Sequence, residues 1–206
     1  MARGLFLVFE GVDGAGKSSQ LLRLAERIEG MGRQVVRLAE PTHGPEGEEI
    51  RRRAREGPPM TAREELDLFL ADRRRNVAEN IRPALDRGDV VLQDRYFYSS
   101  AAYQAARPEL GLTPRQVVEL HAEWAPRPDL VVLLDLPVEL GLQRVAGRGA
   151  GDAFEQRALQ ELVRANFQAL AQEEPNFRRI DAAPDPDLVA AEVWMAVAPL
   201  LQLEPA

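Results

Sequence analysis

The sequence predicts an α/β fold in which a parallel sheet of about five strands carries helices on both faces. Three observations predict it. Short apolar runs of strand length alternate with longer stretches of helical periodicity along the 206 residues. Leu130-Val131-Val132-Leu133-Leu134-Asp135-Leu136 is almost wholly apolar, the mark of a parallel strand buried on both faces. The run Leu5-Phe6-Leu7-Val8-Phe9 passes through a glycine-rich loop straight into the helical stripe Leu21, Leu22, Leu24, Ala25 and Ile28.

That first strand–loop–helix unit is the most informative stretch. Gly11, Gly16, Lys17 and Ser18 stand at the spacing G-x-x-x-x-G-K-[ST]. Glycines let the backbone curl so that successive N–H groups point inward at phosphate oxygens. The helix N-terminus adds its partial positive charge. The loop Gly11, Val12, Asp13, Gly14, Ala15, Gly16, Lys17, Ser18 and Ser19 is therefore expected to hold a nucleoside triphosphate. Lys17 would reach its terminal phosphates and Ser18 would ligate Mg2+. Lys17 is also the only lysine in the chain. A compact point charge suits this place better than the planar fork of arginine.

The remaining elements follow in order. Residues 34–38 read as a second strand, stopped at Glu40-Pro41. Residues 48–56 read as a helix carrying Arg51, Arg52, Arg53 and Arg55, mostly a solvated face with room for one arginine turned toward a phosphate. Thr61 and Glu64 form a capping box for a helix running to about residue 87. Its inward stripe is Leu66, Phe69, Leu70, Arg73, Val77, Ile81 and Leu85. Phe69 and Arg73 share a face. They can be read as a core aromatic and a surface cation, or as a pair that stacks a base and bonds its edge. Residues 89–93 form a third strand, which delivers Asp94-Arg95-Tyr96 at its carboxyl end, where ligands of open α/β sheets sit. These can be a structural ion pair, or a magnesium ligand and a phosphate clamp. A helix over 98–107 would bring Ser100, Tyr103 and Gln104 near that strand end. Thr113 caps the next helix, with Pro114 at its first position. The fourth strand, over 130–136, carries Asp135, a rival to Asp94 for the metal-side carboxylate. Asp94 is preferred because Asp135 leads directly into Pro137 and a helix. Gly147, Gly149 and Gly151 then make a flexible stretch flanked by Arg144 and Arg148. It is a surface loop or an arginine-bearing lid at about 147–154. A helix over 154–172, a fifth strand over 177–181 and a helix over 186–203 close one single domain, 1–206.

Bulk properties exclude several classes. A net charge of −7 argues against a general nucleic-acid binder. The chain has no cysteine, hence no disulfide framework and no thiolate metal site. His43 and His121 are too far apart in sequence for a metal pair. No run of about 20 apolar residues and no leader-type segment is present, so the expected compartment is the cytoplasm, with no membrane partner.

The glycine loop, the Asp94-Arg95-Tyr96 segment and the arginine-bearing stretch stand in an order that resembles the thymidylate kinases, within the nucleoside monophosphate kinases. The resemblance spans nearly the whole chain. Its specific marks are Phe9 to Lys17, then Phe69-Leu70-Ala71-Asp72-Arg73, then Asp94-Arg95-Tyr96 with Ser99-Ser100-Ala101-Ala102-Tyr103-Gln104. It implies a P-loop nucleoside monophosphate kinase fold with a short lid, and transfer of the γ-phosphoryl of Mg·ATP to dTMP. By the same resemblance Phe69 would stack on thymine and Arg73 bond its edge. Ser100 and Gln104 would add base contacts, and Tyr103 would crowd the 2′ position. Asp13 would lie near the acceptor's 3′-hydroxyl and phosphate. Arg51 and Arg95 would hold that phosphate, and Asp94 would stand near magnesium. Gly14 stands where some members carry a basic residue, so Arg144 and Arg148 would supply that charge. Ala39 stands where many bacterial members have arginine. Lys17, Asp94, Arg95 and Arg148 would be catalytic, and a homodimer is implied.

The rivals are another P-loop nucleoside or nucleotide kinase, and a non-catalytic nucleotide-binding switch. A guanine-reading N-K-x-D sequence is impossible with one lysine.

Overall fold

The computed structural model describes residues 4–145 and 153–201. Five strands form one parallel sheet: β1 (Leu5–Glu10), β2 (Val35–Ala39), β3 (Val90–Asp94), β4 (Leu130–Asp135) and β5 (Phe177–Asp181). Their spatial order is β2-β3-β1-β4-β5. The composition of each strand matches its place. Phe6 to Phe9, Val90 to Leu92 and Val131 to Leu134, in the three inner strands, are essentially without solvent contact. The edge strands β2 and β5 are partly exposed and carry Arg37, Arg178 and Arg179.

The helices form two groups. Helix α1 (Lys17–Glu29) packs on α9 (Pro186–Leu201) and on β1, β2 and β3. On the other side α4 (Arg82–Asp86) meets β3, while α8 (Ala153–Glu173) lies over β4 and β5 and holds α5 (Phe97–Tyr103) and α6 (Pro114–Glu119). The expected α/β architecture is thus the observed one. Helices α2 (Pro45–Glu56), α3 (Ala62–Asn76) and α7 (Val138–Val145) contribute Arg51, Asn76 and Arg144 to the hollows at the carboxyl end of the sheet. The chain winds to one side of β1 for β2 and β3, and to the other for β4 and β5. That reversal leaves a crevice at the carboxyl ends of the strands.

Several elements differ from the sequence expectation. The helix expected over 61–87 begins on the Thr61–Glu64 capping box but is not uniform. Val77–Ile81 is a π-helical turn, closed by Arg82 N–H donating to Val77 O. Pro83 has no N–H to give and its ring crowds the preceding turn, so one wider turn absorbs it. The apolar stripe survives, with Leu66, Val77, Ile81 and Leu85 all buried. The helix expected over 98–107 ends at Tyr103, followed by a short 3₁₀ turn at Pro108–Leu110. The helix capped by Thr113, expected to close at Trp124 and Pro126-Arg127-Pro128, is α6 and ends already at Glu119. The lid core at 147–152, Arg148 and residues 202–203 lie outside the described residues, and residue 153 already belongs to α8.

Candidate active site

The crevice is a cleft of about 880 Å³ lined by the glycine loop, Glu40, Arg51, Asp94, Arg95, Arg144 and Gln160. Register sets its floor. Asp94 lies beside Phe9 on one neighbour and Ala39 on the other, so the carboxylate emerges level with the start of the loop.

The loop has the backbone its glycines allow. Gly11, Gly14 and Gly16 have φ of 144°, 79° and 89°, which L-side chains rarely adopt. Gly14 also abuts α7: a Cβ there would lie 2.4 Å from Gly141 O. A side chain of any size has no room at this position. Lys17 begins α1, and its Nζ donates to Gly11 O and Val12 O, both at 3.0 Å. It is 7% exposed. Burial, aided by nearby Arg95, pushes it from 10.5 down to about 8, against the pull of Asp94, Asp13 and Glu10. Ser18 Oγ donates to Asp94 Oδ2 at 2.5 Å. A hydroxyl and a carboxylate side by side on the cleft wall are hard oxygen donors, the set that Mg2+ takes when phosphates complete its shell.

Asp135, the rival carboxylate, is spoken for. Arg164 Nε at 2.7 Å, Gln168 Nε2 at 3.1 Å and Arg179 Nε at 3.4 Å surround it. It belongs to an ion-pair cluster between β4, α8 and β5.

Arg95 is the one non-glycine residue with positive φ among those described, at 64°. The buried Glu10 holds the turn around it. Glu10 Oε1 accepts from Tyr96 N–H at 2.9 Å and Ser99 N–H at 3.1 Å, and Oε2 accepts from Ser99 Oγ at 2.5 Å. Burial pushes the Glu10 carboxyl up to about 7, although Ser99 and Arg95 favour its ionised form. The turn aims Arg95 across the cleft mouth, where it pairs with Asp13 and donates to Ser99 Oγ at 3.2 Å. Its guanidinium lies 5.1 Å over the Tyr103 ring. Burial opposes the Arg95 charge, but Tyr103, Asp13, Glu10 and Asp94 outweigh it, so its titration moves upward. Gln160 of α8 donates to the other Asp13 oxygen at 3.3 Å. Tyr103 Oη lies beside Arg95 and Gln160 without a hydrogen bond of good geometry.

Arg73 corrects one sequence reading: it is no surface cation. It is 1% exposed. Its Nε donates to Glu40 Oε2 at 2.7 Å, and Nη1 donates to Ser100 Oγ at 3.1 Å and meets His121 Nε2 at 2.9 Å. Asn76 Nδ2 donates to Glu40 Oε1 at 3.0 Å, so both carboxylate oxygens are engaged. Phe69, one turn earlier, is only half-buried and outside the core cluster. Gln104 is buried just past α5, with its Oε1 unpartnered. Arg51 donates to the carbonyls of Pro41 and Thr42, which turns it from its helix toward the cleft. Arg144 reaches Ala182 O at 3.2 Å and Gly14 O at 3.4 Å.

The sequence reading named Asp13, Lys17, Ser18, Arg51, Asp94, Arg95 and Arg144, which line this cleft, and Phe69, Arg73, Ser100, Tyr103 and Gln104, which are not among its lining residues. It missed Glu10, Glu40, Gln160 and His121. Glu10 and Glu40 were visible as carboxylates at strand ends. Gln160 and His121 carried no local signal.

A sequence model of the thymidylate kinase family matches residues 9–193. The chain belongs to that family. A thymidylate kinase of Desulfotalea psychrophila is 40% identical over 203 residues, 97% of each chain. One of Xanthomonas campestris pv. campestris is 44% identical over 195 residues, 94% of this chain and 83% of its own. One of Xanthomonas oryzae pv. oryzae is 44% identical over 187 residues, 90% of this chain and 79% of its own. No helix of the described residues is long and apolar enough to cross a membrane.

Proposed function

We propose that the chain is an ATP:dTMP phosphotransferase, giving dTDP and ADP, and that the residues above divide that work. The carrying observation is that Lys17, the Ser18–Asp94 pair and the Asp13–Arg95 pair line one cleft. Lys17 and the Ser18–Asp94 pair are built for a triphosphate. The Asp13–Arg95 pair offers a guanidinium to a second phosphate and a carboxylate beside it.

The loop N–H groups and Lys17 would cradle the ATP phosphates. Mg2+, held by Ser18 and Asp94, would supply charge neutralisation at the transferring group. Arg95 and Arg51 would grip the dTMP phosphate and align its oxygen with the γ-phosphorus. The O–P bond to that acceptor oxygen forms as the bond to the ADP oxygen breaks. The acceptor is already ionised, so no strong general base is required. Positioning and charge stabilisation carry the rate. Phe69 and Arg73 with Ser100 and Gln104 would receive thymine, and Tyr103 would exclude a 2′-hydroxyl. Arg144 would meet the ATP end, with Arg148 brought in by the lid. A homodimer, a cytoplasmic location and a single domain are part of this reading, on the family resemblance.

The test is ADP release from Mg·ATP with dTMP, dUMP, UMP, dCMP, AMP and thymidine. dTMP should be preferred and thymidine inert. Preference for AMP or thymidine would discard the thymine pocket. No acceptor-dependent release would discard the kinase.

A further inference from the structure

His121 takes no part in the mechanism above, yet the structure gives it two fixed bonds. It lies in the turn after α6 and is 1% exposed. Its Nδ1 is 2.8 Å from Val117 O. A carbonyl only accepts, so Nδ1 carries the proton. Nε2 is then a bare lone pair, and Arg73 Nη1, 2.9 Å away, donates to it. The ring cannot turn out of this arrangement. Phe97 stacks on it at 5.2 Å and 22°, and Trp124 leans on it at 5.2 Å and 42°. Trp124 is itself tied by Nε1 donating to Leu120 O at 2.8 Å.

The chemistry of the partner matters. Glu40 already balances the Arg73 charge on one side of the guanidinium. A second carboxylate on the other side would leave a net buried anion, and a protonated imidazole would oppose one cation with another. A neutral acceptor completes the hydrogen bonding without altering the charge. Burial and the adjacent Arg73 keep the ring neutral, pushing it down to about 3.

We infer that His121 is a positioning residue for acceptor recognition: its neutral Nε2 fixes the plane of the Arg73 guanidinium from the turn after α6, opposite Glu40 and beside Ser100. This rests on the reading that Arg73 meets the pyrimidine. Without His121 the guanidinium would keep Glu40 and Ser100 but lose the shorter of the two bonds that hold Nη1. The acceptor's Michaelis constant should then depend on His121, and the donor's should not.

The test uses three variants of the full chain. His121→Gln can offer an amide oxygen where Nε2 stood. His121→Asn mimics the Nδ1–H end and leaves Arg73 Nη1 without that acceptor. His121→Phe keeps the ring stack and removes both bonds. KM for dTMP, KM for ATP, kcat and Tm are measured for each. The expected result is a dTMP KM raised roughly tenfold or more in the Asn and Phe variants, given the usual worth of a bond to a charged group. ATP KM should stay unchanged, and the Gln variant should lie within roughly threefold of wild type by the same criterion. A lower Tm with unchanged dTMP KM in Asn and Phe would overturn the inference and leave His121 a core residue. If the Phe variant fails to fold, the Asn–Gln difference decides. Failure of the wild type to use dTMP would instead overturn the function on which the inference rests.

Discussion

Lys17 should lose its proton in the range where assays are run. Its ammonium is buried and hydrogen-bonded to two loop carbonyls. The pull of its acidic neighbours does not repay the lost hydration, and it titrates near 8 rather than 10.5. That difference corresponds to roughly 3 kcal/mol of charge stabilisation forgone in the free enzyme. Only the protonated form can meet the triphosphate as a cation. Above its pKa, kcat/KM for ATP should therefore fall about tenfold per pH unit, reaching about one tenth of its plateau near pH 9. In the ternary complex the bound phosphates favour the ammonium, so the kcat limb should lie at higher pH. The assay is initial ADP release between pH 7 and 9.5 at saturating dTMP, with ATP varied. The stability of the unliganded protein has the opposite sign. Between about 8 and 10.5 the unfolded chain binds the Lys17 proton more tightly than the folded one. Unfolding free energy of wild type should then rise with pH relative to Lys17→Met. A kcat/KM profile flat to pH 9.5 would refute the reasoning, and a limb unchanged in a residually active Lys17→Arg would assign it to another group.

Three substitutions probe the rest of the site. Asp94→Asn keeps the shape of the Ser18 contact but removes the carboxylate charge; kcat should fall roughly 100-fold, with more Mg2+ needed for half activity, read by metal titration. Glu40→Gln strips the partner from a guanidinium that is 1% exposed, and should lower stability by about 3–5 kcal/mol, measured as a drop in Tm and urea midpoint. Gly141→Ala would set a Cβ 2.6 Å from Asp13 O and push α7 off the phosphate loop, raising KM for ATP and costing about 1–3 kcal/mol of stability.

What could be read ahead of the structure depended on how far apart the partners lie in sequence. The phosphate loop was legible because its requirements are local: glycines at positive φ, a strand before, a helix after. The inner strands were legible because burial on both faces keeps Phe6 to Phe9, Val90 to Leu92 and Val131 to Leu134 apolar, with polar residues only toward their carboxyl ends. Arg73 was not, because spacing shows only that it shares a face with Phe69. Whether that face meets water depends on Glu40, Ser100 and His121, which arrive from β2, α5 and the turn after α6. The choice between Asp94 and Asp135 rested on a local hint, and Arg164 and Gln168 of α8 supply the physical reason. Glu10 shows why the long-range part carries function. It ends the strand that opens the phosphate loop, and its two oxygens hold the turn that sets Arg95 at φ 64°. Arg95 in turn closes on Asp13 of that same loop. A change in the loop backbone therefore reaches Arg95 by two routes, through the Glu10 carboxylate and through the Asp13 ion pair. On the proposed reading, the donor loop and the acceptor's Arg95 are one bonded unit, which would hold the two nucleotides in register for in-line transfer.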